Sequence, residues 1–215
     1  RTDSSAASDV YKRQDIYYLA AENKEMAEGS PHLEVFKKKK LDVLFLTDPI
    51  DTFWLSMAGE FQDRKFISIT KGDIDLTAFS DDKKEKEKKP PAGMKGLVEK
   101  IKEILGENVQ DVKVSTKLVD SACCLVAPDT GMDVQMERIM KIQNKDFKGM
   151  PRILEINPDH NIIKKLNKIK DTDKDALNDA SFLLFDQAKM VEGELPNDIA
   201  KFNQRMSKFL GIALS

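Results

Sequence analysis

Side chains that commonly bind metals or act as nucleophiles are scarce in this chain. It has two histidines, His32 and His160, and two cysteines, Cys123 and Cys124. Neither histidine lies near the cysteine pair at the spacing of a zinc site. The sequence also lacks glycine-rich phosphate-binding loops and a G-x-S-x-G serine motif. We therefore predict that this chain contains no catalytic, cofactor-binding or metal-binding residue.

Composition excludes further classes of function. Lys and Arg total 35 against 37 Asp and Glu, so the net charge of -2 gives no general attraction for nucleic acid. No apolar run approaches the roughly 20 residues of a membrane span. Cys123 and Cys124 are adjacent on a predicted strand, where their side chains point to opposite faces and cannot easily form a disulfide. We expect buried, reduced thiols in a cytoplasmic protein that binds neither nucleic acid nor membrane.

Two apolar patterns could bind other proteins. The first is a predicted helix over 132–143, in which Met132, Met136, Ile139 and Met140 recur at i, i+4, i+7 and i+8. Methionine side chains are flexible and polarizable, which suits a surface that accepts many sequences. The same stripe could also be ordinary core, which is the commoner outcome for such a pattern, and the residues alone leave both readings open.

The second pattern closes the chain. Two long helices are predicted, the first over about 174–192 and the last with an apolar seam at spacings of three, four and three. Such a hairpin needs a surface to pack on. We predict a homodimer in which two hairpins form a four-helix bundle. The predicted interface residues are Leu184, Ala188, Ile199, Phe202, Met206 and Phe209.

The remaining elements predict two domains, one α/β and one α+β. Strands at 15–20, 41–46 and 65–69 alternate with helices opened by Ser30-Pro31 and Asp48-Pro49, which predicts a small parallel sheet with the 41–46 strand buried on both faces. The charged run at 81–91 predicts a linker. Beyond it, a helix ending at Gly106, strands at 109–119, 123–127 and 152–156, and a helix capped by Asn157-Pro158 predict an α+β domain. We interpret residues 1–14 as a non-native leader and the chain as a fragment.

Three stretches resemble the ninety-kilodalton heat-shock chaperone family, in its bacterial HtpG type. They read DIYYLAAENKEMAEGSPHLEVFKKKKLDVLFLTDPID, KLVDSACCLVAPDTGMDVQMERIMK and LEINPDHNIIKKL, in the order that the family has them. The resemblance implies that 15–80 is the small α/β end of a middle domain and that 92–215 is a C-terminal dimerisation domain. It implies that ATP and magnesium act in the parent protein, through a domain absent from this fragment.

The resemblance also implies sites. The helix with Met132, Met136, Ile139 and Met140 matches a helix that contacts non-native client proteins in the family. Phe53 matches an aromatic position of the client-contacting surface, and Trp54 lies beside it. Ile50, Phe53, Trp54 and Met57 could instead form a buried helix face. The implied function is homodimerisation and the binding of unfolded or partly folded clients; the alternative is a stand-alone dimeric scaffold that binds one defined partner.

Overall fold

The computed structural model of the chain contains two β-sheets in its described residues. It describes residues 15–48, 50–71, 74, 76, 91–128, 137, 140, 144 and 149–214, but not the side chains of 52, 53 and 56. Residues 1–14, the charged run apart from Pro91, and the predicted 132–143 helix apart from Glu137 and Met140 lie outside this description. The two-domain division and the linker therefore stay predictions.

The first sheet has the strand order β2-β1-β4-β3. Its strands are β1 (Ile16–Ala20), β2 (Leu44–Leu46), β3 (Glu60–Phe61) and β4 (Arg64–Ser68). β1 is parallel to both β2 and β4, as predicted. The two-residue β3 was not predicted; it forms an antiparallel hairpin with β4. Gln62 and Asp63 make the turn with φ of 51° and 60°, values typical of the tightest hairpins.

The prediction of a doubly buried strand at 41–46 is wrong. Only Leu44–Leu46 form a strand, and it lies at the edge of the sheet with a single neighbour. Leu44 is consequently exposed. An apolar run of this length is equally compatible with an edge strand whose side chains face a groove, which periodicity alone cannot distinguish.

Three short helices accompany this sheet: α1 (Lys24–Glu28), α2 (Glu34–Lys39) and α3 (Asp51–Ala58). A 3₁₀ turn at Pro31–Leu33 precedes α2, and the Ser30 hydroxyl caps it by accepting the His32 N–H at 3.3 Å. Asp48 accepts the Ile50 N–H at 3.0 Å just before α3. The core of this part is centred on Phe36, which meets Tyr17 edge-on with ring centroids 5.0 Å apart.

The second sheet has the order β5-β7-β6, and all of its central strand is buried. Its strands are β5 (Val109–Val114), β6 (Cys123–Val126) and β7 (Arg152–Ile156). β7 is parallel to β5 and antiparallel to β6. Three helices share a hydrophobic core with this sheet: α4 (Met94–Leu105), α5 (Asn161–Ile169) and α6 (Lys174–Val191). The mixed α/β architecture is thus confirmed, whereas the dimeric bundle stays a proposal.

Two boundaries differ from the prediction for identifiable reasons. β5 ends at Val114 rather than 119 because the Ser115 hydroxyl accepts the N–H groups of Lys117 and Leu118 and turns the chain. α5 begins at Asn161, with the His160 ring nitrogen accepting the Ile162 N–H at 3.2 Å. Asn157, predicted to cap this helix, instead donates to the carbonyls of residues 119 and 121.

The last helix, α7 (Ile199–Ala213), packs on α6. Its N-cap is Asp198, which accepts the Lys201 N–H at 3.0 Å. None of the helices in the described part of the chain is long and apolar enough to cross a membrane.

The two cysteines are unpaired and buried, as predicted. Cys123 faces the core beneath α6 and donates to the Leu184 carbonyl at 3.3 Å. Cys124 faces the opposite side of the sheet, with Val126 and Ile153. Burial raises the pKa of Cys123 to about 12 and also raises the pKa of Cys124.

Both thiols should therefore resist alkylation in the native protein. With a pKa of about 12, Cys123 is roughly one part in ten thousand thiolate at pH 8, and the thiolate is the reactive form. Mass spectrometry after iodoacetamide treatment should find no adduct on the native chain and two adducts after unfolding in guanidinium. Rapid native modification of either cysteine would contradict this burial.

Polar contacts join the two sheets. The carboxylate of Glu34, at the start of α2, accepts the N–H groups of Val119, Asp120 and Ser121 at 2.6, 2.8 and 2.9 Å. Beside it, the His32 ring approaches Glu192 at 3.2 Å. Further along, Lys117 donates to the Lys71 carbonyl, and the Ala127 N–H donates to the carbonyl of residue 70.

Glu34→Gln should weaken the hydrogen bonds between Glu34 and the 119–121 loop. A glutamine keeps one accepting oxygen but loses the charge, and hydrogen bonds to charged groups are worth about 1.5–3 kcal/mol each. Hydrogen exchange at residues 119–121 should accelerate. The control is Glu25→Gln, an exposed carboxylate in the first turn of α1. If residues 119–121 were equally protected from hydrogen exchange in the two variants, Glu34 would not be what holds this loop.

Candidate protein-interaction surfaces

An open groove lies against the first sheet, and we call it the aromatic groove. Its volume is about 430 Å³, and its apolar lining includes Leu44, Trp54, Phe61 and Phe66. Trp54 is 40% exposed, and its indole N–H donates to Asp51 at 3.1 Å. The ring stands edge-on to Phe66 at 5.6 Å. These two contacts hold the tryptophan in place while part of its ring stays open to a ligand.

The face of α3 that carries Trp54 is not the buried face that the sequence also allowed. Among the described side chains here, Leu55 is buried, whereas Ile50 and Met57 are exposed, Met57 to 86%. The side chain of Phe53 lies outside the described residues. Sequence reasoning missed Leu44 and Phe61 as members of the groove, because they come from strands that lie far apart in the chain and meet only through the sheet order.

A second apolar surface runs along α7. Ile199, Met206 and Leu210 are exposed, and with Phe202 they recur at the spacing that places side chains on one helix face. Phe209 turns towards the core. Leu184 and Ala188, predicted at the same interface, pack within the chain's own core. The surface that this hairpin offers therefore consists mainly of side chains of α7.

The other side of α7 is fixed to α6 by charge. Asp179 on α6 accepts Lys208 at 2.6 Å and lies 3.5 Å from the Arg205 guanidinium. The hydrogen bond from Lys208 lowers the pKa of Asp179. Arg205 also stacks on Phe182, with 4.3 Å between its guanidinium carbon and the ring centroid. The polar side of α7 is thus occupied within the chain, and the apolar side is left to solvent.

Comparison with known proteins identifies the family. A model of the family described as "Hsp90 protein" matches residues 8–215. This chain belongs to the Hsp90 family. The protein named Chaperone protein HtpG of Burkholderia ambifaria is 40% identical over 199 residues, which are 93% of this chain and 31% of that relative. The HtpG chaperones of Burkholderia cenocepacia and Burkholderia lata are also 40% identical, over 199 residues (93% of this chain and 31% of the relative) and 195 residues (91% and 30%). The chain thus spans about a third of these relatives' length.

The methionine stripe of this Hsp90-family chain is described only in part. Met132, Met136 and Ile139 lie outside the described residues. Met140 is helical and half-buried, and its carbonyl accepts the Asn144 N–H at 2.8 Å. Glu137 is helical and only 5% exposed, and its carboxylate accepts the Met150 N–H at 3.2 Å. The assignment of this stripe to client contact stays a prediction.

Within the described part of this Hsp90-family chain, no group of three or more His, Cys, Asp and Glu side chains is arranged to hold a metal ion. His32 and His160 instead serve the structure, His32 between the two sheets and His160 as a helix cap. Among the residues that the structure describes, the aromatic groove and the apolar face of α7 are the surfaces that we consider for function.

Proposed function

We propose that this chain is the dimerising, client-binding part of an HtpG-like molecular chaperone. The observation that carries the proposal is the apolar face of α7, which stays partly exposed on a helix that is fixed to α6 by its charged side chains. In this proposal the chain has no catalytic role. The parent protein hydrolyses ATP with magnesium through residues that are not among these 215.

Dimerisation follows from the extent of this apolar surface. Fully burying one large aliphatic side chain yields about 1.5–3 kcal/mol, and association costs at least about 4 kcal/mol. Ile199, Met206 and Leu210 are already half covered, so they alone give little surplus. Met190 and Val191, at the end of α6, are exposed as well. A two-fold pair of α6–α7 hairpins could bury side chains of both helices, which favours the four-helix bundle over a contact between two single helices.

Met206→Asp should split the dimer. Met206 is 39% exposed in the isolated chain, so the change should cost the monomer little, whereas the interface would bury an unpaired carboxylate. The matched control is Gln204→Asp, an exposed position on the opposite side of α7. In sedimentation velocity at tens of micromolar, the original chain and Gln204→Asp should be dimers, and Met206→Asp should be a monomer. A monomeric original chain would end the proposal for α7.

We assign client binding to the aromatic groove, to Phe53, which precedes Trp54 in the sequence, and to the stripe of Met132, Met136, Ile139 and Met140. The groove offers aromatic surface at low entropic cost, since Trp54 is already held by Asp51 and Phe66. Its open form suits single apolar side chains of an extended polypeptide. A dimer presents two such sites, so one unfolded client can occupy both and gain avidity from weak contacts.

The only tryptophan of the chain makes this testable by fluorescence. Reduced, carboxymethylated ribonuclease A is unfolded and lacks tryptophan, so its binding should shift the emission of Trp54. Phe61→Ser should weaken this binding several-fold because Phe61, 54% exposed, lines the groove. Met57→Ser removes exposed apolar surface outside the groove lining and should leave binding unchanged. If both substitutions weakened ribonuclease binding equally, the binding would be nonspecific hydrophobic association rather than binding in the groove.

A further inference from the structure

A buried cluster of charges lies where β7 begins. Arg152 is 7% exposed, and its guanidinium is hydrogen-bonded through Nη2 to Glu194. Its Nε is 3.8 Å from the carboxylate of Glu137. Glu194 is also 3.9 Å from the ammonium of Lys189. Arg152 thus lies between two carboxylates, one hydrogen-bonded to it and one at ion-pair distance, while its Nη1 has no hydrogen-bond partner in the described part of the chain.

Arg152 contacts side chains from two parts of the chain that lie far apart in sequence. Glu137 belongs to the segment that carries the methionine stripe. Glu194 belongs to the connection between α6 and α7, which begins with Gly193 at a φ of 79°. The Glu194 N–H donates to the Lys189 carbonyl at 2.9 Å, so this turn has a defined shape that aims the Glu194 side chain at Arg152.

The connection that leads into α7 is fixed by the same cluster. Lys189 donates to the side chain of Asn197 at 2.6 Å, and Asn197 in turn donates to the side chain of Asn108 at 3.3 Å. Asn197 directly precedes Asp198, the N-cap of α7. The start of α7 is therefore tied to Lys189 and, through it, to Glu194.

An arginine is the side chain suited to this position. Its planar guanidinium carries five donors in a rigid fork and can serve two carboxylates on different sides, whereas an ammonium concentrates its charge at one point. Inside a protein, an ion pair that loses one partner leaves a buried charge without compensation. A change at either carboxylate is therefore felt at the other through the shared cation.

We propose that Arg152 is a positioning residue that couples the Glu137 segment to the α6–α7 connection, so that contact at one alters the placement of the other. The proposal rests on the proposed function for its biological meaning, since it links the segment assigned to clients with the helix assigned to the dimer. The physical link itself lies within one protomer and can be measured there.

The test is hydrogen exchange of the segment 194–201 in the 215-residue chain. Glu137→Gln is nearly isosteric and keeps an oxygen for the Met150 N–H, yet it should accelerate exchange at 194–201 on the order of fivefold, the lower end of typical coupling between sites. Arg152→Lys should do the same, because it keeps the charge without the fork. Asp111→Asn breaks the Lys102–Asp111 ion pair at 2.8 Å, outside the cluster, and should leave 194–201 unchanged.

A double-mutant comparison separates coupling from local damage. In a Glu194→Gln background, adding Glu137→Gln should accelerate exchange at 194–201 no further, because the connection to Arg152 is already cut. Full additivity of the two changes, or no effect of Glu137→Gln alone, would overturn the proposal. A monomeric chain in sedimentation would defeat the proposed function and leave this measurement intact, whereas a dimer with an unaffected 194–201 segment would defeat only the coupling.

Discussion

A strand covered on both faces keeps water away from the polar side chains it carries, and β7 carries two charges. Arg152 and Glu155 are three residues apart, so their side chains point to opposite faces of the second sheet. Leaving either charge unpaired would cost several kcal/mol, because water is excluded from both sites. Much of the polar structure around the sheet can be traced to how these two groups are compensated.

Glu155 organises the side towards the first sheet. Its carboxylate accepts the Ser115 hydroxyl at 2.6 Å, and Ser115 shapes the turn that buries Lys117. The Lys117 ammonium reaches the Lys71 carbonyl, beyond the end of β4. Arg152 organises the other side, where it sets the connection into α7. One strand thus influences both the joint between the sheets and the helix that we assign to dimerisation.

Regular elements were predictable because their signals are local. The spacing of Met94, Leu97, Ile101 and Leu105 is that of one buried helix face, and Gly106 ends that helix as expected. The resemblance to the Hsp90 family, confirmed by the comparisons, was also carried by contiguous stretches. The spacing of apolar residues in α7 predicts that Ile199 and Met206 share one helix face, and Leu210 continues the same spacing.

What escaped prediction depends on contacts between distant residues. The groove needs Leu44 and Phe61 from opposite edges of a sheet, and nothing in either segment signals the other. Asn157 looks like a helix cap in sequence, yet it binds the 119–121 loop, whose N–H groups are hydrogen-bonded to Glu34 of α2. The partners of Arg152 lie 15 residues before it and 42 after it, beyond the range of any periodic pattern.

The polar character of the joint between the sheets has a mechanical consequence. In the described part of the chain, the buried apolar clusters belong to one sheet or the other, and none is shared. If the sheets separate, the carboxylate of Glu34 and the N–H groups of the 119–121 loop can be rehydrated. The polar groups of this joint can thus exchange their partners for water and recover them, so its opening need not be permanent.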